Sequence, residues 1–266
     1  MKIVRTVAEI RQVALSHKVG PGRIGLVPTM GAFHDGHLSL FRAARAECDL
    51  VVASLFVNPA QFGANEDLER YPRDEARDAA LASHSGVDVL FAPSAEELYP
   101  AGFQTWVEIE STGAEGAHRP GHFRGVATVC LKLFNIVRPD VAYFGQKDAQ
   151  QAAVLGRMVR DLDLEVELRV LPTIRDADGL ALSSRNAYLS PEEHRRALEL
   201  PRALEAGRDA HARGADAVGA ARAALNGLAP DYVEVLDLGD AKLLAAAARV
   251  GSTRLIDNVV LEGELQ

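Results

Sequence analysis

Two histidines three positions apart, His34 and His37, frame the end of Pro28-Thr-Met-Gly-Ala-Phe-His-Asp-Gly-His37, directly after the apolar run Ile24-Gly-Leu-Val27. Imidazoles so placed can ligate a metal, bind a phosphate or pack in a core. The context favours phosphate. A strand ends, the chain turns on Gly31, and the second histidine arrives where a helix begins, so free backbone N–H groups and the positive end of the helix dipole would meet an anion there. The i, i+3 spacing turns both rings to one side. Gly36 is expected to let a ligand approach the backbone, and imidazole can donate to phosphate oxygens as charge builds on a leaving pyrophosphate. Metal is the weaker alternative, because zinc-binding helix pairs sit at i, i+4 with Glu between them and no third His or Cys has a fitting spacing. His17, His84, His194 and His211 are expected to be structural.

Two more clusters repeat this logic. Phe144-Gly-Gln-Lys-Asp148 reads as strand, glycine turn and helix start, with Lys147 a point charge suited to phosphate and Asp148 either part of the site or only a helix cap. Leu182-Ser-Ser-Arg185 places two hydroxyls and a guanidinium in a polar loop, donors suited to triphosphate oxygens. By contrast, Gly20-Pro-Gly-Arg-Ile-Gly25 matches GxGxxG but follows a helix and leads into a strand, the reverse of the dinucleotide-binding context, and reads as a turn.

The elements that must position these clusters alternate between two periodicities. Helical spacing is read over residues 4–15, 37–46, 73–84, 126–137 and 149–162, and apolar strands over 24–27, 50–57, 87–91, 141–144 and 166–170. Continuous apolar strands alternating with helices predict a parallel sheet covered on both faces, a Rossmann-like doubly wound α/β domain whose ligands bind at the carboxyl ends of the strands. Residues 1–173 are assigned to this nucleotide- and substrate-binding domain, and residues 174–266 to a smaller α+β domain that contributes the Ser-Ser-Arg loop and a lid. In the latter, Ser190-Pro-Glu-Glu193 is a helix start with Ser as N-cap, Pro at N1 and Glu at N3. A long helix is expected to run to about Ala212 and another over 215–225, while 231–238 and 253–261 alternate like half-exposed strands. The run of alanines at 245–248 is read as helix or packing.

With 266 residues, 48% apolar and 25% charged, the chain has the composition of an ordinary globular protein. A net charge of −8 argues against nucleic-acid binding, which needs a basic footprint. Cys48 and Cys130 form no CxxC and are expected to be reduced buried thiols. No apolar run approaches the ~20 residues needed to span a bilayer, the N-terminus has charges among its apolar residues unlike a signal peptide, and a cytoplasmic location is expected.

The motifs PTMGAFHDGH, FVNPAQF (56–62), YPR (71–73), RPGHFRGV (119–126), FGQKDAQQ (144–151) and DGLALSSRN (178–186) resemble, in sequence and in order, those of the pantothenate synthetases, or pantoate–β-alanine ligases, over nearly the whole chain. More broadly, HxGH and the Ser-Ser-Arg loop are similar to the "HIGH" and "KMSKS" signatures of the nucleotidyltransferase superfamily. The resemblance implies ATP- and Mg²⁺-dependent condensation of (R)-pantoate with β-alanine through an enzyme-bound pantoyl adenylate, releasing AMP and pyrophosphate, by a cytoplasmic homodimer. Carried over by motif, Met30, Gly31, Ala32, Phe33, His34, Asp35, Gly36 and His37 would line ATP, together with Gly145, Gln146, Lys147, Asp148, Ile174, Leu182, Ser183, Ser184 and Arg185. His37, His34 and Lys147 would be catalytic, Gln61 and Gln151 would hold pantoate with Asn58 orienting them, and Asp78 would fall near the Mg²⁺ region. The loop from Pro59 to Tyr71 is a further candidate lid.

Two positions depart from the family: Gln146 stands where Glu is usual, and Ala149 where an aromatic residue is usual. Two rival functions are an adenylyl transferase that makes a stable dinucleotide product and a non-catalytic ATP-binding module.

Overall fold

Every residue of Ile24–Val27 is buried, as a strand covered on both faces must be. In the computed structural model, which describes residues 1–64, 66–111 and 113–265, this strand lies inside a six-stranded sheet. The strands are β1 (Lys2–Val4), β2 (Ile24–Val27), β3 (Leu50–Ser54), β4 (Val89–Phe91), β5 (Val141–Gly145) and β6 (Glu167–Leu171), in the spatial order β1-β4-β3-β2-β5-β6. The register is parallel between β1 and β4, β4 and β3, β3 and β2, and β2 and β5. The order reverses between β2 and β5. In open α/β sheets that switch point is where a crevice forms outside the carboxyl ends of the strands.

Side-chain alternation sorts the core into two layers. On one face, Ile24, Leu26, Ala142 and Phe144 pack with residues of α1 (Val7–His17) and of the later helices of this sheet. On the other, Val27, Val51, Val141 and Tyr143 pack with Leu38, Phe41 and Ala44 of α2 (Asp35–Glu47) and Ala82 of α3 (Glu75–His84). After α4 (Ala95–Leu98) and α5 (Ala114–His118) comes α6 (His122–Val137), a long helix buried along most of its length. It is followed past β5 by α7 (Ala149–Asp161).

The chain divides into two compact units, one of Met1–Ser111, Arg119–Phe144 and Val154–Leu171, the other of Thr112–His118, Gly145–Ala153 and Pro172–Gln266. In the second unit, β7 (Pro230–Asp237), β8 (Ala241–Val250) and β9 (Thr253–Gly263) form an antiparallel sheet in that order. Leu200 and Leu204 of α9 (Glu199–Ala212) and Ala221 of α10 (Ala217–Ala224) are buried against it with Val233, Leu244 and Val259. The doubly wound α/β class and the smaller C-terminal α+β part are therefore as expected.

Four elements differ from the sequence reading. Lys2–Val4 is an edge strand rather than helix start; only its last residue is buried, so its apolar pattern is too short to see. The long helix is broken into α8 (Pro191–Ala197) and α9, because Pro201 has no N–H to give and its ring would clash with the carbonyl of Ala197 in a continuous helix. The expected capping box is present, with Ser190 accepting from the Glu193 N–H. Finally, the alanines at 245–248 belong to the central strand β8, where pairing on both sides overrides the weak β-propensity of alanine. The stretch read as a strand over 50–57 ends at Ser54, whose Oγ accepts from the Thr29 N–H at 3.1 Å and whose carbonyl accepts from Thr29 Oγ1 at 2.5 Å.

Candidate active site

The histidine turn is organised by the start of α2. His34 is the N-cap, with extended backbone, and its Nδ1 accepts from the Gly36 N–H at 3.2 Å; His37, three residues on, accepts the His34 N–H on its own Nδ1 at 3.4 Å. The reciprocal cap usually made by Ser or Thr with Glu is here made by two imidazoles. Because Nδ1 is an acceptor in both rings, each neutral imidazole carries its proton on Nε2 and is a donor there. The ring centroids are 4.2 Å apart, and His37 also lies 5.4 Å from the ring of fully buried Phe33. A Cβ on Gly36 would come within 2.9 Å of the His34 ring, so the space first ascribed to a ligand is taken by the capping imidazole.

The turn that precedes it is held from below. Gly31 (φ 92°) and Ala32 (φ 53°) both adopt left-handed backbone, which costs a non-glycine residue about 1 kcal/mol or more. Asp78, in α3, offsets that cost: its two carboxylate oxygens accept the Ala32 and Phe33 N–H groups, each at 2.7 Å. Its side chain is 1% exposed. Burial pushes the Asp78 carboxyl above its ordinary range, against the pull of those two N–H groups. The geometry makes this carboxylate a loop anchor, with both oxygens engaged by the backbone. A cleft of about 510 Å³ opens beside it, with Met30, Asp78, Arg5 and Arg73 among its walls.

Asn58 and Gln61 come together, and both are buried. Asn58 caps the short turn Pro59–Gln61 by accepting the Ala60 N–H at 3.2 Å, accepts the Tyr99 hydroxyl at 2.9 Å, and donates to the Gly125 carbonyl at 3.1 Å and to Gln61 Oε1 at 2.9 Å. All four bonding positions of its amide are used, which makes it a brace for Gln61. Burial raises the Tyr99 phenol, keeping it a donor. With Oε1 taken, Gln61 presents Nε2, whose contact is the thioether of Met30 at 3.3 Å, a weak acceptor that a hydroxyl or carboxylate would outcompete. The main chain of Gln61 is held as well. His122 lies 2.9 Å from its carbonyl through Nδ1 while Arg119 donates to His122 Nε2 at 3.0 Å, so the imidazole is the Nδ1–H donor. Arg119 in turn makes a two-point ion pair with Glu66 at 2.8 and 2.6 Å. The motif RPGHFRGV was visible in the sequence, but nothing in its spacing revealed that Arg119 and His122 serve Gln61.

In the second unit, Gln146–Asp148 forms a tight 3₁₀ turn that leads into α7. Lys147 Nζ lies 3.2 Å from Asp148. The departure at Gln146 has a partner: its Nε2 donates to Asn258 Oδ1 at 3.2 Å, and Asn258 Nδ2 donates to the carbonyls of Gln146 and Lys147 at 2.9 and 3.1 Å. Ala149, the other departure, is buried with Ala241 and Leu243. Ile174 and Leu182 are joined by a backbone hydrogen bond at 2.9 Å, closing a hairpin with the Arg175–Ala181 bridge. Ser183 then caps the turn Ser184–Tyr188 by accepting the Arg185 N–H. Gln151 is half-buried in the first turn of α7, next to Gln150, whose amide holds Glu115 N and Gly113 O.

Of the histidines read as structural, His84 pairs with a carbonyl one turn back and His211 with Glu262. Among the described residues, one group of metal-type donors converges, Asp176, Asp178 and His194, within 4.8 Å. His194 is already bonded to Asp178 at 2.7 Å, and both carboxylates accept the Leu180 N–H. No helix among the described residues is long and apolar enough to cross a membrane.

The chain as a whole is similar to known proteins in sequence and in fold. The family model described as pantoate-beta-alanine ligase matches residues 2–260. A pantothenate synthetase of Moorella thermoacetica is 52% identical over 280 residues, covering 98% of this chain and 99% of that protein. The crystal structure of pantothenate synthetase from Thermus thermophilus superposes with a TM-score of 0.92 at 47% identity, over 98% of this chain and 99% of the other. A pantoate-beta-alanine ligase from Francisella tularensis, complexed with β,γ-ATP and β-alanine, superposes over 100% of both chains with a TM-score of 0.86 at 34% identity. This chain belongs to the pantoate–beta-alanine ligase family.

Proposed function

We infer that the protein is an AMP-forming ligase that uses ATP to join pantoate to β-alanine. The observation that carries this is the pair of imidazoles fixed as Nε2 donors at the start of α2, in a chain matched by the family over residues 2–260. A carboxylate is a poor acyl donor because its leaving group would be oxide. In the first step a pantoate carboxylate oxygen attacks the α-phosphorus of ATP, the bond to the bridging oxygen breaks, and pyrophosphate leaves. In the second the amine of β-alanine attacks the acyl carbon, loses a proton, and AMP departs. The first step asks the protein for alignment and for neutralisation of charge on the β- and γ-phosphates, and no covalent intermediate with a side chain is needed.

His34 and His37 supply neutral donors for that charge, Lys147 and Arg185 supply fixed positive charge, and the hydroxyls of Ser183 and Ser184 supply small donors. Gln61, braced by Asn58, offers Nε2 to the hydroxyls or carboxylate of pantoate, and Gln151 is the second amide for this substrate. Magnesium fits the reaction as an ion carried on the ATP phosphates, its usual mode of binding, where it would neutralise their charge. Asp78 does not fit as a direct ligand, since both its oxygens hold the backbone of the histidine turn. A homodimer in the cytoplasm is the assembly the family resemblance supports, and light scattering would test it.

The test is AMP production from ATP with pantoate and β-alanine supplied separately and together. Stoichiometric AMP and pantothenate only when both are present supports the ligase. ATP binding with no AMP under any combination would leave a non-catalytic nucleotide-binding module.

A further inference from the structure

Asp257 and Asn258 are consecutive polar residues in the middle of Thr253-Arg-Leu-Ile-Asp-Asn-Val-Val-Leu261, each 3% exposed. A strand core gains nothing from two buried polar side chains unless each finds partners, because an unpaired one carries a desolvation penalty. Both do, and the partners are two different loops. The Asn258 amide commits its donors to successive carbonyls of the Lys147 turn, those of Gln146 and Lys147, and takes the Gln146 side chain on its oxygen. The orientation of the amide is set by chemistry, since only its NH₂ can face two carbonyls. Asp257 holds Arg175 by a two-point ion pair at 2.6 and 3.0 Å. Arg175 adjoins Ile174 and donates as well to the Gly179 carbonyl at 3.2 Å, across the hairpin that leads into Leu182–Arg185. The strand itself is fixed by its ladder to β8, where Ala246 faces Asp257 and Ala245 faces Asn258.

We propose that the Asp257–Asn258 pair of β9 is the positioning element for both ATP-contacting loops of the second unit. Asn258 sets the backbone of the Lys147 turn, and Asp257, through Arg175, sets the hairpin that carries the Ser-Ser-Arg loop. Neither residue touches substrate in this account; each acts through another. Their adjacency on one strand means that a single rigid element holds the two loops, so the lysine and the serine–arginine groups keep a fixed spacing as ATP binds. The proposal rests on the reading of Lys147 and Ser183–Arg185 as ATP-binding groups.

The experiment uses the full-length enzyme with Asn258→Ala, Arg175→Lys, Lys147→Ala and the double variant Asn258→Ala/Lys147→Ala. Steady-state constants for ATP, pantoate and β-alanine are measured alongside thermal unfolding. Asn258→Ala is expected to lower kcat/KM for ATP about ten- to hundredfold, the scale of losing several buried hydrogen bonds, with the pantoate KM within about threefold of the parent. If Asn258 acts through the lysine turn, the double variant should be little worse than Lys147→Ala alone, because two residues in one network are non-additive. Arg175→Lys keeps the charge but loses the two-point geometry. It should raise the ATP KM several-fold, and it tests the proposal from a half-buried position should Asn258→Ala fail to fold. Losses that fall equally on all three substrates, or that multiply in the double variant, would overturn the positioning role while leaving the ATP reading intact. An unimpaired Lys147→Ala would overturn both.

Discussion

The imidazoles of His34 and His37 lie 4.2 Å apart because each is bonded through Nδ1 to the backbone of one helix turn, His34 to the Gly36 N–H and His37 to the His34 N–H. The same contacts that cap α2 decide which ring nitrogen carries the proton. Capping uses one side of the rings and the proposed contact with ATP the other, so a variant can separate them.

Replacing His37 by Ala should lower turnover by on the order of 10²–10³, the usual loss for one transition-state donor. It should also cost about 1 kcal/mol of stability through the cap. His37→Gln can restore the reach back to the His34 N–H, so it should recover the melting temperature without recovering turnover. Recovery of both by Gln, or near-full activity in the Ala variant, would return His37 to a purely structural duty.

Asp78→Asn keeps the shape of the side chain but turns an NH₂ toward one of two backbone N–H groups. The expected cost is about 1–3 kcal/mol in unfolding free energy, as for an unsatisfied buried donor, with a fall in turnover as the histidine turn loosens. A magnesium titration distinguishes this from direct ligation. The loop anchor predicts that excess Mg²⁺ leaves the variant's rate unchanged, whereas recovery at high Mg²⁺ would make Asp78 a ligand of the ion.

Gly125 sits where α6 meets the turn that carries Gln61. A Cβ there would collide with the Ala60 carbonyl and stand 2.6 Å from Gln61 Cα, and both are backbone that cannot swing aside. Gly125→Ala should raise the pantoate KM about tenfold or more, in proportion to the misplacement of a positioned donor. The ATP KM should stay within about threefold of the parent. A change confined to ATP would disconnect this turn from pantoate.

Glu66 supplies the pH dependence. Burial pushes its carboxyl up, but the hydrogen bonds and charge of Arg119 outweigh that, and the group is held below its ordinary 4.5. A carboxyl depressed in the folded state adds stability that is present above 4.5 and is lost as pH falls through the folded value. Denaturant unfolding should therefore find Glu66→Gln less stable than the parent at neutral pH. The gap should close as the medium is acidified below the ordinary carboxyl range. A gap that persists unchanged in acid would mean that Glu66 contributes through packing alone.

The motifs of the candidate site were legible because their chemistry is local. HxGH after an apolar strand, Lys147 after a glycine turn and the Ser-Ser-Arg loop announce themselves by residue type and by neighbours a few positions away. The parallel sheet was legible for the same reason, since its strands are short apolar runs separated by helical repeats. What stayed hidden depends on distant partners. Asp78 holds amides 45 and 46 positions away, and Asn258 holds carbonyls 111 and 112 positions away. No periodicity encodes such pairings. The one local trace was two adjacent polar residues interrupting the apolar strand at Asp257 and Asn258. Strand β8 was hidden for another reason: alanine carries little preference for a strand, and pairing with β7 and β9 decides its conformation.

Pantoate-dependent exchange of labelled pyrophosphate into ATP, with β-alanine omitted, reports adenylate formation without the second step. If the enzyme aligns ATP for attack by the pantoate carboxylate, a bound adenylate forms before the amine arrives. Label should then enter ATP when pantoate is present and not when it is left out. Exchange that requires β-alanine, or that proceeds equally well without pantoate, would contradict a stepwise pantoyl-adenylate mechanism in this enzyme.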